Sequence, residues 1–351
     1  MHMADALLSP AVGIVMGAVS AGAIAYSVTK VKKDELSEKK IPLMAVAGAM
    51  VFAAQMVNFT IPGTGSSGHI GGGILLAGLL GGTPAFLSIS AVLIIQCLFF
   101  ADGGLLALGC NIFNMGVIPC LLIYPLLFKP FLKKNISYGR LSVSSVISVV
   151  ASLLIGSFAV VLQTLASGIT ALPFGLFAAL MLPIHAVIGL IEGLITAGIL
   201  CFVYKMRPEI LGSARSGEML KSDVSTKQII VFLGVAALII GGVGALFAST
   251  NPDGLEWAIA KIVGGEGLQT ENAVQNGAGT VQDALAFLPD YGFRNGENET
   301  LGTSTAGIIG AVCTFIFAFV TGFIISKAKK ARKKTDDGAK NIASENKNSA
   351  E

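Results

Sequence analysis

Long apolar blocks separated by short polar joints dominate this chain. They run at about 10–29, 41–60, 72–86, 87–101, 107–128, 141–165, 180–204, 228–248 and 303–326. About 20 consecutive apolar residues cross the hydrocarbon core of a bilayer as a helix. Backbone groups in lipid must be satisfied within their own segment, which makes helices the default. The alternating pattern of a membrane β-barrel is absent. The pattern therefore predicts an all-α, polytopic transmembrane helical bundle of about nine spans. The third and fourth blocks are short and joined by Gly81-Gly82-Thr83-Pro84, so residues 72–101 form either two short crossings or a re-entrant hairpin. Residues 170–182, with Pro173 and Pro183 close by, read as an apolar lead-in near the interface.

Composition agrees. Of 351 residues, 53% are hydrophobic and 13% charged, and the mean hydropathy is +0.76. No single soluble core needs that much apolar sequence. The net charge of +3 points to no nucleic acid, because the basic residues sit in short clusters between apolar blocks. Cys97, Cys110, Cys120, Cys201 and Cys313 are scattered through apolar segments without a C-x-x-C pair. They read as small packing residues, not as a disulfide or thiolate site.

Charge fixes the orientation. Lys30, Lys32, Lys33, Lys39 and Lys40 follow the first span, and Lys129, Lys133, Lys134 and Arg140 the fifth. Lys205, Arg207, Arg215, Lys221 and Lys227 follow the seventh, and Lys327, Lys329, Lys330, Arg332, Lys333 and Lys334 the last. The positive-inside rule makes all four clusters cytoplasmic. Nine crossings satisfy this only with the N-terminus outside and the C-terminus inside, which places residues 61–71 outside. "MHMADALLSP" lacks the basic, apolar and cleavage regions of a signal peptide, so residues 1–8 are expected to stay attached on the outer face. Residues 249–302 carry eight acids (Asp253, Glu256, Glu266, Glu271, Asp283, Asp290, Glu297 and Glu299) against Lys261 and Arg294. They read as a solvated outer loop, with a cation-attracting or gating cap as the sharper alternative. Residues 335–351 read as a disordered tail.

Within the outer loop, "IPGTGSSGHIGGG" (61–73) mixes two signals. Gly63, Gly65 and Gly68 fit G-x-G-x-x-G, and Gly63 and Gly68 have the spacing of a phosphate loop, but His69 stands in the lysine position. The segment also follows an apolar helix and faces away from cytoplasmic ATP. It reads as a glycine loop that presents a histidine. No other segment has a phosphate-binding loop, so the chain is not an ATPase or other enzyme by itself; no H-E-x-x-H occurs, and Ser67 lies too close to His69 to assume a catalytic pair.

The chain has only three histidines, His2, His69 and His185, and the first two share the outer face. A histidine at position 2 can chelate through the amine of Met1, its own backbone nitrogen and its imidazole Nδ1. His69 would complete a square of nitrogens, a geometry that suits Ni(II) or Cu(II) rather than Mg(II) or Ca(II). Gly63, Gly65, Gly68 and Gly71 let this loop turn sharply and approach the N-terminus. The alternative is an ordinary terminal residue and a polar loop residue. Gln96, Asn111 and Asn114 are polar side chains in apolar segments and need partners; Asn111 could orient His69. Asp5 could accept the second imidazole N–H of His2, and Ser67 neighbours His69. Each could equally be a structural hydrogen-bonding group. His185 and Glu192 lie seven apart on one helix face and read as a structural pair or a partner contact. Gly13, Gly17, Ala21 and Ala25 form a small-residue stripe for internal packing or for a partner.

The stretches "MHMADALLSP", "GTGSSGHIGGGILLAGLLGG", "QCLFFADGGLLALGCNIFNMGV" and "HAVIGLIEGL", spread over about the first 205 residues, resemble the CbiM/NikM family. These are the membrane substrate-binding subunits of energy-coupling-factor transporters for cobalt and nickel. "NPDGLEW" (251–257) is similar to the PDGLE signature of the companion subunit CbiN/NikN, here fused at the C-terminus. The resemblance implies metal ligation by Met1, His2 and His69. It also implies partners, namely a transmembrane coupling (T) subunit and two ABC-type ATPases. Ni2+ or Co2+ is then the transported substrate and not a cofactor, in a bacterial or archaeal cell membrane. Ala6 departs from the glycine many members carry there, which bears on the turn after the N-terminus. The expected organisation is a metal-binding membrane domain at 1–226, a companion-like two-helix segment at 227–326 and a basic, then disordered, cytoplasmic tail at 327–351. The rival reading is a stand-alone secondary transporter or channel for divalent ions, which needs a relay of intramembrane ionisable residues.

Overall fold

The computed structural model describes residues 1–31, 40–133, 135–217, 226–264, 268, 272–294 and 298–348. Lys32, Lys33, Lys39, Lys134, Lys221, Glu266, Glu271 and Glu297, counted above for charge, lie outside the described residues.

Helices follow the apolar blocks. Helix α1 (Pro10–Lys30) starts at Ser9, whose Oγ accepts from the Val12 amide at 3.4 Å, with Pro10 in the first turn. Gly13 and Gly17 dock it: a Cβ on Gly13 would meet Leu106 Cγ at 2.5 Å, and one on Gly109 would meet the Gly17 nitrogen at 2.4 Å. The rest of the small stripe, Ala21 and Ala25, is exposed. Helix α2 (Lys40–Gln55) is buried along nearly its whole length. Around it pack α4 (Gly82–Phe100), α10 (Thr226–Gly242) and α13 (Glu299–Asn348). The C-terminal helices therefore cover the central pillar of the bundle.

Two antiparallel strands, β1 (Phe59–Ile61) and β2 (Ser66–Gly68), follow α2, with Thr60 opposite Ser67. Next comes α3 (Gly73–Leu80), whose eight residues span about 12 Å and cannot cross a bilayer alone. Residues 72–101 divide at Gly81, where φ is +89°, and not near residue 86. The result is one short helix and the full-length α4, not two equal crossings. α5 (Leu108–Ile112) runs on through a π-helical stretch (Phe113–Phe128) into α6 (Lys129–Phe131). Pro119 and Pro125 lie in that stretch; proline has no amide hydrogen and crowds the preceding turn, which the wider winding relieves.

α7 (Tyr138–Ser167) and α8 (Phe174–Met206) form the longest helix pair. Gly189 and Gly193 on α8 let the backbones close: added Cβ atoms would lie 3.0 Å from Val150 Cα and 2.8 Å from Val146 Cα. Because α8 begins at Phe174, most of the expected interfacial lead-in at 170–182 is its first turns. The shorter helices are α9 (Pro208–Ser216), α11 (Gly254–Val263) and α12 (Ala273–Leu285). Helical backbone in α13 continues to Asn348, through residues whose composition reads as disordered.

Among the described residues, seven helices are long and apolar enough to span a membrane, and α2 is a shorter apolar helix. The chain is a multi-pass membrane protein. At one end of the bundle Lys329 Nζ donates to the carbonyls of Thr29 and Val31, and Arg215 Nη1 to that of Leu132 at 2.9 Å. At the other end meet the N-terminal peptide, the β-hairpin, residues 101–107 and the start of α11.

Candidate metal centre

The N-terminal peptide is clamped into the bundle. Asn111 Oδ1 accepts from the Met3 amide at 2.8 Å, and Asn111 Nδ2 donates to the Met3 carbonyl at 3.2 Å. The Gly104 amide donates to the same carbonyl at 2.9 Å. Gly103 and Gly104 make room: a Cβ on Gly104 would fall 1.9 Å from Asp5 Oδ1, and one on Gly103 3.3 Å from His2 Cβ. Asp5 Oδ1 accepts from the Ala107 amide at 2.9 Å, and burial raises its carboxyl above the usual range. Asn111 and Asp5 therefore hold the terminal peptide, and neither reaches an imidazole as the sequence reading allowed.

His2 and His69 come together, with ring centroids 5.4 Å apart and planes 22° from parallel. The hairpin sets His69. Gly63 and Gly65 make its turn at φ +76° and +73°, Gly68 lies where a Cβ would strike Ile188 at 2.7 Å, and His69 follows at the end of β2. Ser67 does not touch the imidazole. Its amide donates to the Pro252 carbonyl at 2.8 Å and its Oγ to the Asn251 carbonyl at 2.7 Å, so it docks the start of α11. Asn114 exchanges hydrogen bonds with Gln163 at 2.8 and 3.0 Å and joins two helices.

Gln96 does reach His2, at the end of a directed chain. Gln55 Nε2 donates to the Gly71 carbonyl at 2.9 Å, and Gln96 Nε2 donates to Gln55 Oε1 at 2.9 Å. Gln96 Oε1 is left to accept from His2 Nε2 at 3.2 Å. A carbonyl cannot donate, so Gly71 sets the direction of the whole chain. His2 therefore carries its proton on Nε2 and its lone pair on Nδ1, the nitrogen a terminal chelate requires. His69 Nδ1 donates to the Ile70 carbonyl at 3.0 Å, which frees Nε2 as its basic nitrogen. Burial lowers the pKa of both rings, with the Met1 amine adding to the effect, and takes His69 down to about 4. Both are neutral, ligand-ready imidazoles at neutral pH.

Two carboxylates face these nitrogens: Asp102, and Asp253, which counts in the sequence only among the acids of the outer loop. Asp102 Oδ1 lies 3.3 Å from His2 Nδ1. A carboxylate opposite a lone pair is favourable only with a proton or cation between them. Asp253 Oδ2 pairs with the amine of Met1, and its Oδ1 caps α11 by accepting from the amides of Leu255 at 2.8 Å and Glu256 at 2.9 Å. Burial alone would raise this carboxyl, but the Met1 amine and the Glu256 amide hold it well below the usual carboxylate range. Signals for both existed: Asp102 ends an apolar block, and Asp253 opens a D-x-x-E capping box.

Among the described residues no cluster of three or more His, Cys, Asp or Glu side chains is arranged as a metal site. A cavity of about 430 Å³ opens onto His2 and His69 and is bordered by Asp102, Asp253, Glu256 and Asp290. His185 sits apart. Its Nδ1 donates to the Met181 carbonyl at 2.8 Å, and its ring packs under Gly254. Glu192 does not pair with it but accepts from the Gly72 amide at 2.9 Å.

Known proteins resemble this chain along most of its length. The sequence profile of the CbiM family, described as a cobalt uptake substrate-specific transmembrane region, matches residues 2–210, and that of the PDGLE domain matches 227–327. A fused nickel transport protein NikMN of Archaeoglobus fulgidus is 30% identical over 328 residues, covering 91% of this chain and 97% of that one. The fused nickel transport protein NikMN of Rhodobacter capsulatus is 26% identical over 336 residues, covering 88% and 94%. A solved structure of a truncated transition metal transporter, 30% identical, superposes with a TM-score of 0.52 over 59% of this chain and 99% of its own. The chain belongs to the CbiM family of metal transport proteins and carries a fused PDGLE domain behind the CbiM region.

Proposed function

We propose that this protein is the substrate-binding membrane subunit of an energy-coupling-factor importer for Ni2+ or Co2+. It captures the ion with the Met1 amine, the His2 backbone nitrogen, His2 Nδ1 and His69 Nε2. The observation that carries this reading is the His2–His69 juxtaposition at 5.4 Å, with each ring's tautomer fixed so that the needed nitrogen is free. Names of the relatives, which are nickel and cobalt transport proteins, support the cargo. Nickel is preferred because four nitrogens in a plane suit it.

In this reading the capture end is outside and the Lys/Arg-rich end cytoplasmic. Hairpin and α3 together make the third of nine passes. A T subunit and two ABC-type ATPases supply the driving force, since the chain has no phosphate loop. Metal analysis of the untagged, purified protein tests the reading. One equivalent of Ni(II) with a planar d–d absorption band is expected, and protein that binds no Ni(II) or Co(II) would contradict it.

A further inference from the structure

Helix α12 (Ala273–Leu285) rests on the bundle by a polar face: its two buried side chains are Gln275 and Gln282. Gln275 Nε2 donates to the carbonyls of Asp5 at 2.9 Å and Leu8 at 2.5 Å, just ahead of α1. Gln282 Nε2 donates to the carbonyl of Cys97 at 2.9 Å, in the last turn of α4, and to that of Gly103 at 2.6 Å. The Leu288 amide, just past α12, donates to the Phe99 carbonyl at 3.2 Å. Carbonyls in the last turn of a helix have no partner within it, so this segment closes the open end of α4. The 19 residues of α4 span about 28 Å, close to the full thickness of the hydrocarbon core. Helix α12 is therefore fastened where hydrocarbon gives way to headgroups.

At about 100° per residue, Val274, Val281 and Leu285 share one flank of α12, Asn276 and Asp283 the opposite flank, and the two glutamines lie between. The three apolar side chains are 52%, 52% and 47% exposed, and Phe287 continues them at 45%. Asp283, on the polar flank, is the one charged residue of the helix. A loop surrounded by water has no use for this separation, whereas a helix lying in the plane of a membrane surface requires it. The start of α12 also adjoins α1, a membrane span whose Ile14 and Val15 are 65% and 60% exposed. We propose that α12 is an interfacial helix. It seats Val274, Val281, Leu285 and Phe287 in the bilayer at the capture end and straps the N-terminal peptide to the membrane surface. The apolar flank carries no cation to select an anionic lipid, so its partner is the boundary between acyl chains and headgroups of neutral phospholipid.

Fluorescence quenching locates the two flanks. The full chain, with its native cysteines replaced by alanine, is placed in phosphatidylcholine nanodiscs. An environment-sensitive fluorophore is attached at Val281→Cys or, on the polar flank, at Asn276→Cys. Emission from position 281 should be blue-shifted, quenched by phosphatidylcholine brominated near the carbonyl end of its acyl chain, and indifferent to aqueous iodide. Position 276 should show the reverse. Quenching of both positions by iodide alone would overturn the proposal, since α12 would then be solvated on both flanks. Shielding of position 281 from lipid and iodide alike would also overturn it, because a second copy of the chain would then cover the flank. If the substituted protein does not fold, wild-type protein carries the test in phosphatidylcholine vesicles doped with a phospholipid bearing an acyl-chain diazirine. Carbene adducts on Val274, Val281, Leu285 or Phe287 support the interfacial helix, and adducts confined to the membrane-spanning helices overturn it.

Discussion

The amine of Met1 and the carboxylate of Asp253, 252 positions apart, form a buried ion pair that ties the first residue to the PDGLE segment. The same carboxylate caps α11. Two substitutions separate these roles. Asp253→Asn keeps a good N-cap and loses the charge, whereas Asp253→Ala loses both. Each should destabilise the protein, and Ala should cost about 1 kcal/mol more than Asn. Thermal unfolding in detergent measures the difference; equal effects would show that the cap contributes nothing.

The chain from Gly71 through Gln55 and Gln96 predicts action at a distance. Gln55→Ala touches neither histidine, yet it frees Gln96 to turn and lets His2 change tautomer. Ni(II) affinity should fall about 10–100-fold, as for partners of ligand histidines generally. Gln96→Ala should do the same, and the double variant should be little worse than either alone. Isothermal titration with Ni(II) checks this; independent, additive losses would break the relay.

Much of this site could be read from the sequence, and what was missed has a pattern. His2 and His69 stood out because histidine is rare in this chain and each sits in an unusual local context. Gln96 was visible as a polar residue in an apolar block. Gln55 and Asp102 carry no site signal in the sequence and Asp253 reads there only as one acid of the outer loop, because their roles come from tertiary pairings over 41 to 252 positions. Span lengths failed where apolar runs continued through a backbone break, as at Gly81. They also failed where a proline sat inside a helix, as Pro183 does in α8.

Burial of neutral His69 predicts how stability depends on pH. Its folded pKa is about 4, against an unfolded value near 6.5, so the unfolded chain binds more protons between those values. Stability of EDTA-treated protein should therefore rise with pH from about 4 to about 6.5 and be lost in the reverse direction. His69→Gln should flatten that rise, as read by thermal unfolding at pH 4.5 and 7. An unchanged slope would mean that His69 does not titrate in the folded state as described.

Orientation is tested by labelling. Thr60 is exposed in the hairpin and Gly139 at the start of α7. With the native cysteines replaced, a thiol reagent that cannot cross the membrane should modify Thr60→Cys on intact cells, and Gly139→Cys only after permeabilisation. The reverse pattern would invert the topology and remove outward-facing capture.

Truncation after residue 226 removes Asp253 but keeps Met1, His2 and His69. Ni(II) binding should survive while uptake falls, and normal uptake would remove any essential role for residues 249–302.

The terminal chelate is the centre of the account, and it makes a demand no side chain makes. One residue added before Met1 turns the amine into an amide and breaks the chelate without altering any side chain. Ni(II) titration of protein with a single added N-terminal residue should show loss of binding as severe as in His2→Ala or His69→Ala. A tag after Glu351 should be harmless. Full, stoichiometric Ni(II) binding by the extended protein would contradict the chelate and leave an ordinary two-histidine site.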